Sequence, residues 1–267
     1  MRRNSMEAGD VNGKTKTAIV TGGLSGIGLA IARRLIRDGV SVFVGARRGG
    51  DQDHVHNVLG ADADRIVSLP LDVQSRDSVD DCVAQVVATA GGVDILVNAA
   101  GIYEEAAIID HPEDVWMNHI DTNLSGTFRM IRAAMPHMKA AGWGRIVNIA
   151  SVAAHNGMEN NAAYCASKAG LLGLGRCVSL EGAAHGVTCV SISPTWVETE
   201  MLRSYIDADM KSSGQSFEQV RAEYCKSNPQ DQLVQPSEVA ELAAFLVSDA
   251  ARALTMEDFQ VNAGSLW

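Results

Sequence analysis

The run Thr17–Arg37, TAIVTGGLSGIGLAIARRLIR, changes its period partway along. Its first five residues, TAIVT, form a short apolar run of buried-strand type, and Ile27, Ala30, Ile31 and Leu35 then recur at helical spacing from Gly26 to Arg37. Between the two lies TGGLSGIG, Thr21–Gly28. In a strand–turn–helix setting such glycines allow a tight turn and let the backbone approach a pyrophosphate. The helix that follows offers free N–H groups and the positive end of its dipole to that anion.

The same alternation runs outward through the chain. Apolar strand-like runs occur at Ser41–Gly45, Arg65–Leu69, Asp94–Asn98, Arg145–Ala150, Val187–Ser193 and Phe259–Asn262. Helical spacing covers Ser78–Ala90, with Val79, Cys82, Val83, Val86 and Val87 on the apolar face. Further helices are expected from about Pro112, over much of Thr122–Ala140, from Ala162 to His185, and over Pro236–Leu246, where proline suits the first turn. Near-continuous Val/Ile strands alternating with helices predict a parallel sheet covered on both faces. The expected architecture is therefore one α/β domain, a Rossmann-like doubly wound parallel sheet in three layers. It spans 15–267, after an N-terminal arm at 1–14 that carries basic residues but no apolar stretch of signal-peptide type.

Composition limits the function classes. A chain that is 46% hydrophobic and 20% charged can bury a sizeable core. The formal net charge of −10, with no basic stripe, argues against a nucleic-acid partner. No segment has the apolar length of a membrane span, so no membrane partner is expected. Five scattered cysteines without a CxxC pair fit reduced thiols and a cytoplasmic location. His54 and His56 stand two apart with no third ligand nearby in sequence, so no metal site is expected.

The chemistry concentrates in Ser151–Lys168, SVAAHNGMENNAAYCASK. On a helix beginning near Ala162, Tyr164 and Lys168 lie one turn apart on the same face, where the ammonium can favour the ionised phenol. A free tyrosine titrates near ~10, and a useful tyrosinate near neutral pH requires about 3–4 kcal/mol of stabilisation. Ser151, delivered from a preceding strand end, can hydrogen-bond the same substrate oxygen. The set suits proton transfer at a carbonyl or alcohol oxygen. Taken alone, a tyrosine and a lysine four apart on a surface helix carry little weight.

In combination with the glycine turn the chain resembles the short-chain dehydrogenase/reductase family in its single-domain form. The family pattern TGxxxGxG is met by Thr21, Gly22, Gly26 and Gly28, with Ser25 and Ile27 inside the turn. Asp72, followed by Val73, matches the acidic residue that holds the adenine. Asn98-Ala99-Ala100-Gly101 matches NNAG with its second Asn replaced. Asn123 in DTNLSGTF matches the catalytic Asn of the long helix, and Ser151, Tyr164 and Lys168 match the catalytic set. The resemblance implies that Tyr164 is the acid/base and that Ser151 polarises the substrate oxygen. It implies further that Lys168 lowers the Tyr164 pKa and binds the nicotinamide ribose, and that Asn123 anchors a water on the proton path. Where the family reads PGxxxT beside the nicotinamide, this chain has Pro194-Thr195-Trp196-Val197-Glu198-Thr199, so the Thr195 side chain is expected to crowd that ring.

Residues 196–235 match the family's variable substrate region and read as a lid of two short helices around Ser212-Ser213-Gly214. Tyr103, His155, Met158 and Trp196 are candidate substrate contacts for a small carbonyl or alcohol. Relatives that prefer NAD(H) carry an acidic residue after the second strand. Ala46 stands there, followed by Arg47 and Arg48, which suit a 2′-phosphate. NADP(H) is thus the expected cofactor, with NAD(H) possible and carbonyl reduction the favoured direction. Small and apolar residues on the two long helices, together with the resemblance, imply a homotetramer or homodimer. The alternatives are a cofactor-binding sensor or scaffold without turnover, which the retained Tyr and Lys oppose, and a sugar-nucleotide epimerase, for whose larger substrate domain the chain has no room.

Overall fold

Seven strands form one sheet in the computed structural model, which describes residues 15–265. The expected arm at 1–14 lies outside the described residues. The strands are β1 (Thr17–Thr21), β2 (Ser41–Ala46), β3 (Ile66–Pro70), β4 (Ile95–Asn98), β5 (Gly144–Ile149), β6 (Val187–Pro194) and β7 (Asp258–Val261). Their order is β3-β2-β1-β4-β5-β6-β7, and every pairing is parallel. The chain thus winds outward from β1 in one direction and from β4 in the other. Between these two strands the order reverses, and a crevice opens at their carboxyl ends, beside Thr21 and Asn98.

The side-chain alternation of the strands divides the core in two. Val20, Val44, Val97, Val147 and Ile192 face the helices α1 (Gly26–Arg37), α2 (Gln52–Leu59) and α9 (Pro236–Leu246). Ile19, Phe43, Leu96, Ile146 and Cys189 face α3 (Arg76–Ala90), α5 (Gly126–Ala141) and α6 (Ala162–Gly182). Period-two strands buried on both faces read as continuous apolar runs, which is why the sheet was legible from sequence. Burying each such side chain contributes roughly 1.5–3 kcal/mol.

Three stretches depart from the expected pattern. Gln52–Leu59 is a helix where none was expected. Asp51 caps it by accepting the His54 N–H at 3.0 Å, and Val55 and Leu59, one turn apart, are its buried residues. The segment from Pro112 to Ala141 is a nearly continuous helical path. It runs through α4 (Glu113–His119), a π-helical stretch over Ile120–Ser125, and α5. Beyond β6 the chain forms α7 (Glu200–Ser213) and α8 (Phe217–Lys226) before returning to α9. These helices are longer than expected and share a small core of their own, Leu202, Ile206, Val220, Cys225 and Leu233. Among the described residues no helix is long and apolar enough to cross a membrane.

Candidate active site

The glycine turn is built by close backbone approach. Gly22 adopts φ +64°, and its N–H donates to the Gly45 carbonyl at 2.8 Å. A Cβ on Gly28 would stand 2.5 Å from the Gly22 carbonyl oxygen, so α1 packs on the turn at a distance that only glycine permits. Thr21 Oγ1 accepts from the N–H groups of Ala99 and Ala100, at 3.1 and 3.0 Å, tying the ends of β1 and β4 together across the crevice. Asn98 donates to Asn148 Oδ1 at 2.9 Å in the buried sheet, so its role is to join β4 to β5.

The expected cofactor residues divide between two cavities. Gly22, Ser25, Arg47, Asp72, Val73 and Ala100 line one of them, with Ala46 at the end of β2. Ile27, Ala99, Pro194, Thr195, Val197 and Thr199 line the other together with Ser151, Tyr164 and Lys168. Gly101 lines both, which makes the two halves of one elongated cleft. Gly26, at φ +48°, packs against the Thr199 side chain across the cleft. Arg48 departs from the expectation: its guanidinium pairs with Asp51 at 2.7 Å, at the N-terminus of α2, and Arg47 alone of the two borders the cleft. The residues fit a dinucleotide. The turn leaves room for backbone against a pyrophosphate, α1 aims its N-terminus there, and no carboxylate ends β2.

Ser151 stands two residues past the end of β5 and accepts the Ala153 N–H at 3.1 Å as the N-cap of a short 3₁₀ turn, which fixes its hydroxyl at the cavity wall. Tyr164 and Lys168 occupy the first two turns of α6, as the spacing predicts. The electrostatics differ from the expectation. Burial pushes the Tyr164 phenol above its ordinary pKa, while a hydrogen bond with Ser151 pulls it the other way. Lys168 Nζ lies 5.6 Å from the Tyr164 ring centroid and donates to the Ile149 carbonyl at 2.7 Å. Burial lowers Lys168 itself to about 8. The protein alone therefore holds Tyr164 as a protonated phenol, a state suited to donating a proton to a carbonyl oxygen.

Asn123 sits in the π-helical stretch. Its Oδ1 accepts the Ile102 N–H at 2.8 Å, and its Nδ2 donates to the Ile102 carbonyl and to Ser167 Oγ, each at 3.0 Å. The widened turn lets one side chain bridge the loop after β4 and helix α6, a use typical of π-bulges at functional sites. Gly101 lies between Asn123 and Lys168: a Cβ there would be 3.4 Å from Asn123 Oδ1 and 3.6 Å from Lys168 Nζ.

Of the candidate substrate contacts, Tyr103, Met158 and Trp196 line the cavity. His155 does not. Its Nε2 meets Asp258 Oδ2 at 2.7 Å, and Asp258 in turn accepts the Ser193 hydroxyl at 2.7 Å, so His155 anchors the Ser151 loop to β6 and β7. Thr195 lines the cavity, yet its hydroxyl donates to Asn228 Oδ1 at 3.1 Å, at the end of the lid. Sequence reading missed Tyr205 and Met201, both on α7 and both in the wall. Tyr205 donates a hydrogen bond to the Tyr103 carbonyl and stacks edge-on with the Tyr103 ring at 4.7 Å. Tyr103 also meets Tyr164 at 4.8 Å and Trp196 at 6.2 Å, and Trp196 meets Tyr224 at 4.9 Å. All four tyrosines of the chain thus gather at this one site. No sequence signal pairs Tyr205 with Tyr103, because 102 residues separate them. Among the described residues no three His, Cys, Asp or Glu side chains converge as for a metal.

A family model described as short chain dehydrogenase matches residues 16–209. D-beta-hydroxybutyrate dehydrogenase of Rhizobium meliloti is 37% identical over 253 residues, covering 94% of this chain and 98% of the relative. A putative ketoacyl reductase of Streptomyces coelicolor is 37% identical over 262 residues, covering 94% and 97%. Among solved structures, a variant of actinorhodin polyketide ketoreductase with NADPH superposes with TM-score 0.88 at 36% identity, covering 94% of this chain and 97% of that one. Ligand-free aldohexose dehydrogenase of Thermoplasma acidophilum gives TM-score 0.84 at 29% identity, with 94% of each chain covered.

Proposed function

The chain belongs to the short-chain dehydrogenase family, and on that premise we propose that it is an oxidoreductase that interconverts a carbonyl and a secondary alcohol, with Tyr164 as acid/base and NADP(H) as preferred cofactor. The observation that carries this reading is the convergence of Ser151, Tyr164 and Lys168 on one wall of a cleft whose other end is the glycine turn. The names of the relatives span a hydroxy acid, a ketoacyl group and a polyketide. Their common element is a hydroxyl or ketone, and only that element is carried over to this chain. The relative crystallised with NADPH supports the same cofactor here, as do Ala46 and Arg47 at the end of β2.

Bound NADPH supplies the hydride. The residues of the chain do the rest. Ser151 donates a hydrogen bond to the carbonyl oxygen, and Tyr164 passes it a proton, so charge developing on that oxygen is met as it forms. Lys168, with donors to spare beyond its bond to Ile149, would hold the ribose and replenish positive charge beside the phenol. Asn123 is a positioning residue that fixes the loop carrying Gly101 and Ile102 against α6. Tyr205 and Trp196, both from the 196–235 segment, form part of the wall beside the reacting oxygen. Assembly as a homotetramer in the cytoplasm completes the proposal. It is supported by the exposed Phe128 on α5 and Leu180 on α6, and a monomeric mass by light scattering would remove it.

The test is a screen of ketones and secondary alcohols, following nicotinamide absorbance with NADPH and NADH in parallel. Turnover of at least one ketone with NADPH is expected. Binding of NADPH without turnover across the panel would favour the sensor or scaffold instead.

A further inference from the structure

The wall of the substrate end is aromatic and sulfur-rich, and it lacks a free cation. The rings of Trp196 and Tyr205 each stand nearly perpendicular to that of Tyr103, and Met158 and Met201 line the same cavity. Lys168 is the one cationic side chain among the lining residues; it donates to Ile149, and on the reading above its remaining donors go to the cofactor ribose. The lid brings four cations, Arg203, Lys211, Arg221 and Lys226, and none of them lines this cavity. Arg203 lies over the Phe217 ring in a separate groove against α1, and Arg221 is held through two hydrogen bonds by Glu198.

The charges that do approach are negative. Glu104 and Glu105 follow Tyr103 directly, and Glu105 accepts the Tyr103 hydroxyl at 2.6 Å. Burial, then Glu105, Tyr164 and Glu104, push Tyr205 up to about 12. Asp209, on the same helix as Tyr205, accepts the Tyr224 hydroxyl at 2.8 Å.

We infer that this site takes an uncharged ketone whose body is aromatic or otherwise apolar, and that it rejects the same ketone carrying a carboxylate. The inference rests on the oxidoreductase reading above. A carboxylate held between Tyr103, Trp196 and Tyr205 would lose its water and find no cation, with Glu104 and Glu105 behind the wall. A buried unpaired charge is strongly disfavoured in such surroundings. A planar apolar group, by contrast, meets ring faces and edges and two polarizable thioethers.

The experiment compares matched pairs at neutral pH with saturating NADPH: ethyl benzoylacetate against benzoylacetate, and ethyl acetoacetate against acetoacetate. We expect kcat/KM for each ester to exceed that of its acid by at least ~100-fold, the scale set by a few kcal/mol of unpaired charge. The benzoyl ester is expected to exceed the acetyl ester. Met201→Arg, at a position exposed enough to accept the change, should narrow the ester-to-acid ratio by at least ~10-fold, the scale of one partly exposed ion pair. Met158→Arg repeats the test from the Ser151 side. Acids turned over as well as their esters by the unmodified enzyme would overturn the inference and leave the oxidoreductase reading standing. An unchanged ratio in both folded variants would overturn it too. Oxidation of neither NADPH nor NADH with any of the four compounds would overturn the inference, and the wider panel of ketones and secondary alcohols then decides the oxidoreductase reading separately.

Discussion

The two ends of the cleft are made in different ways. At the cofactor end the geometry is backbone: Gly22 turns at positive φ, Gly28 lets α1 close on the Gly22 carbonyl, and Thr21 receives two main-chain N–H groups from β4. At the substrate end the geometry is side chain, with rings from four separate segments meeting edge to face over Tyr164. The first construction tolerates almost no substitution, and the second can be rebuilt residue by residue.

The sharpest way to break the comparison is to put a side chain where only backbone fits. Gly28→Val forces a Cβ to within 2.5 Å of the Gly22 carbonyl. NADPH affinity, read by fluorescence titration, is expected to fall at least ~100-fold, the scale of overpacking a rigid turn by about 3 kcal/mol. Affinity within a few-fold of the unmodified protein would show that the turn is not rigid. The next largest effect concerns which phosphate the cleft accepts. Ala46→Asp with Arg47→Ile should swing the NADP(H)/NAD(H) ratio of kcat/KM by roughly 10–100-fold toward NAD(H), as a carboxylate repels the 2′-phosphate and a guanidinium is lost. An unmodified protein that already prefers NADH would contradict the role given to Arg47.

The same division explains what could be read from the sequence alone. Strands buried on both faces, TGGLSGIG and the Tyr164–Lys168 spacing are local patterns, so the sheet and the candidate catalytic set were legible. Arg48 stands beside Arg47 in sequence yet turns to Asp51, the N-cap of α2, a contact no local periodicity announces. His155 stands within the catalytic run yet turns to Asp258, 103 residues away. Tyr205 reaches Tyr103 only after the lid folds back over the sheet. The π-helical stretch at Asn123 depends on three tertiary hydrogen bonds that no periodicity announces.

A smaller effect follows from the charge balance around Lys168. Burial depresses its pKa to about 8, so the ammonium is present below that value and is lost as pH rises through it. The kcat/KM of ketone reduction should therefore be level near neutrality and fall above pH about 8. A profile level well beyond that pH would show that the charge of Lys168 is not needed. The same depression makes folding stability rise with pH from about 8 toward the unfolded lysine value near 10.5, because there the unfolded chain binds the extra proton. The smallest effect is at Thr195. If its methyl and hydroxyl crowd the cofactor, Thr195→Gly tightens NADPH binding. If instead its bond to Asn228 tethers the lid, the change raises the substrate KM about 3-fold at unchanged NADPH affinity, in line with losing one hydrogen bond. The tether outcome is expected, and Asn228→Ala should reproduce it.

Tyr164 is where the two constructions meet, since it closes the catalytic set on one side and touches the aromatic wall through Tyr103 on the other. Tyr164→Phe keeps the ring contact and removes only the hydroxyl, so the decisive measurement is NADPH affinity and ketone turnover of this one variant, side by side. NADPH affinity within a few-fold of the unmodified protein, together with turnover at least ~100-fold lower, is the predicted result. Retention of most of the turnover would contradict the assignment of Tyr164 as the proton donor.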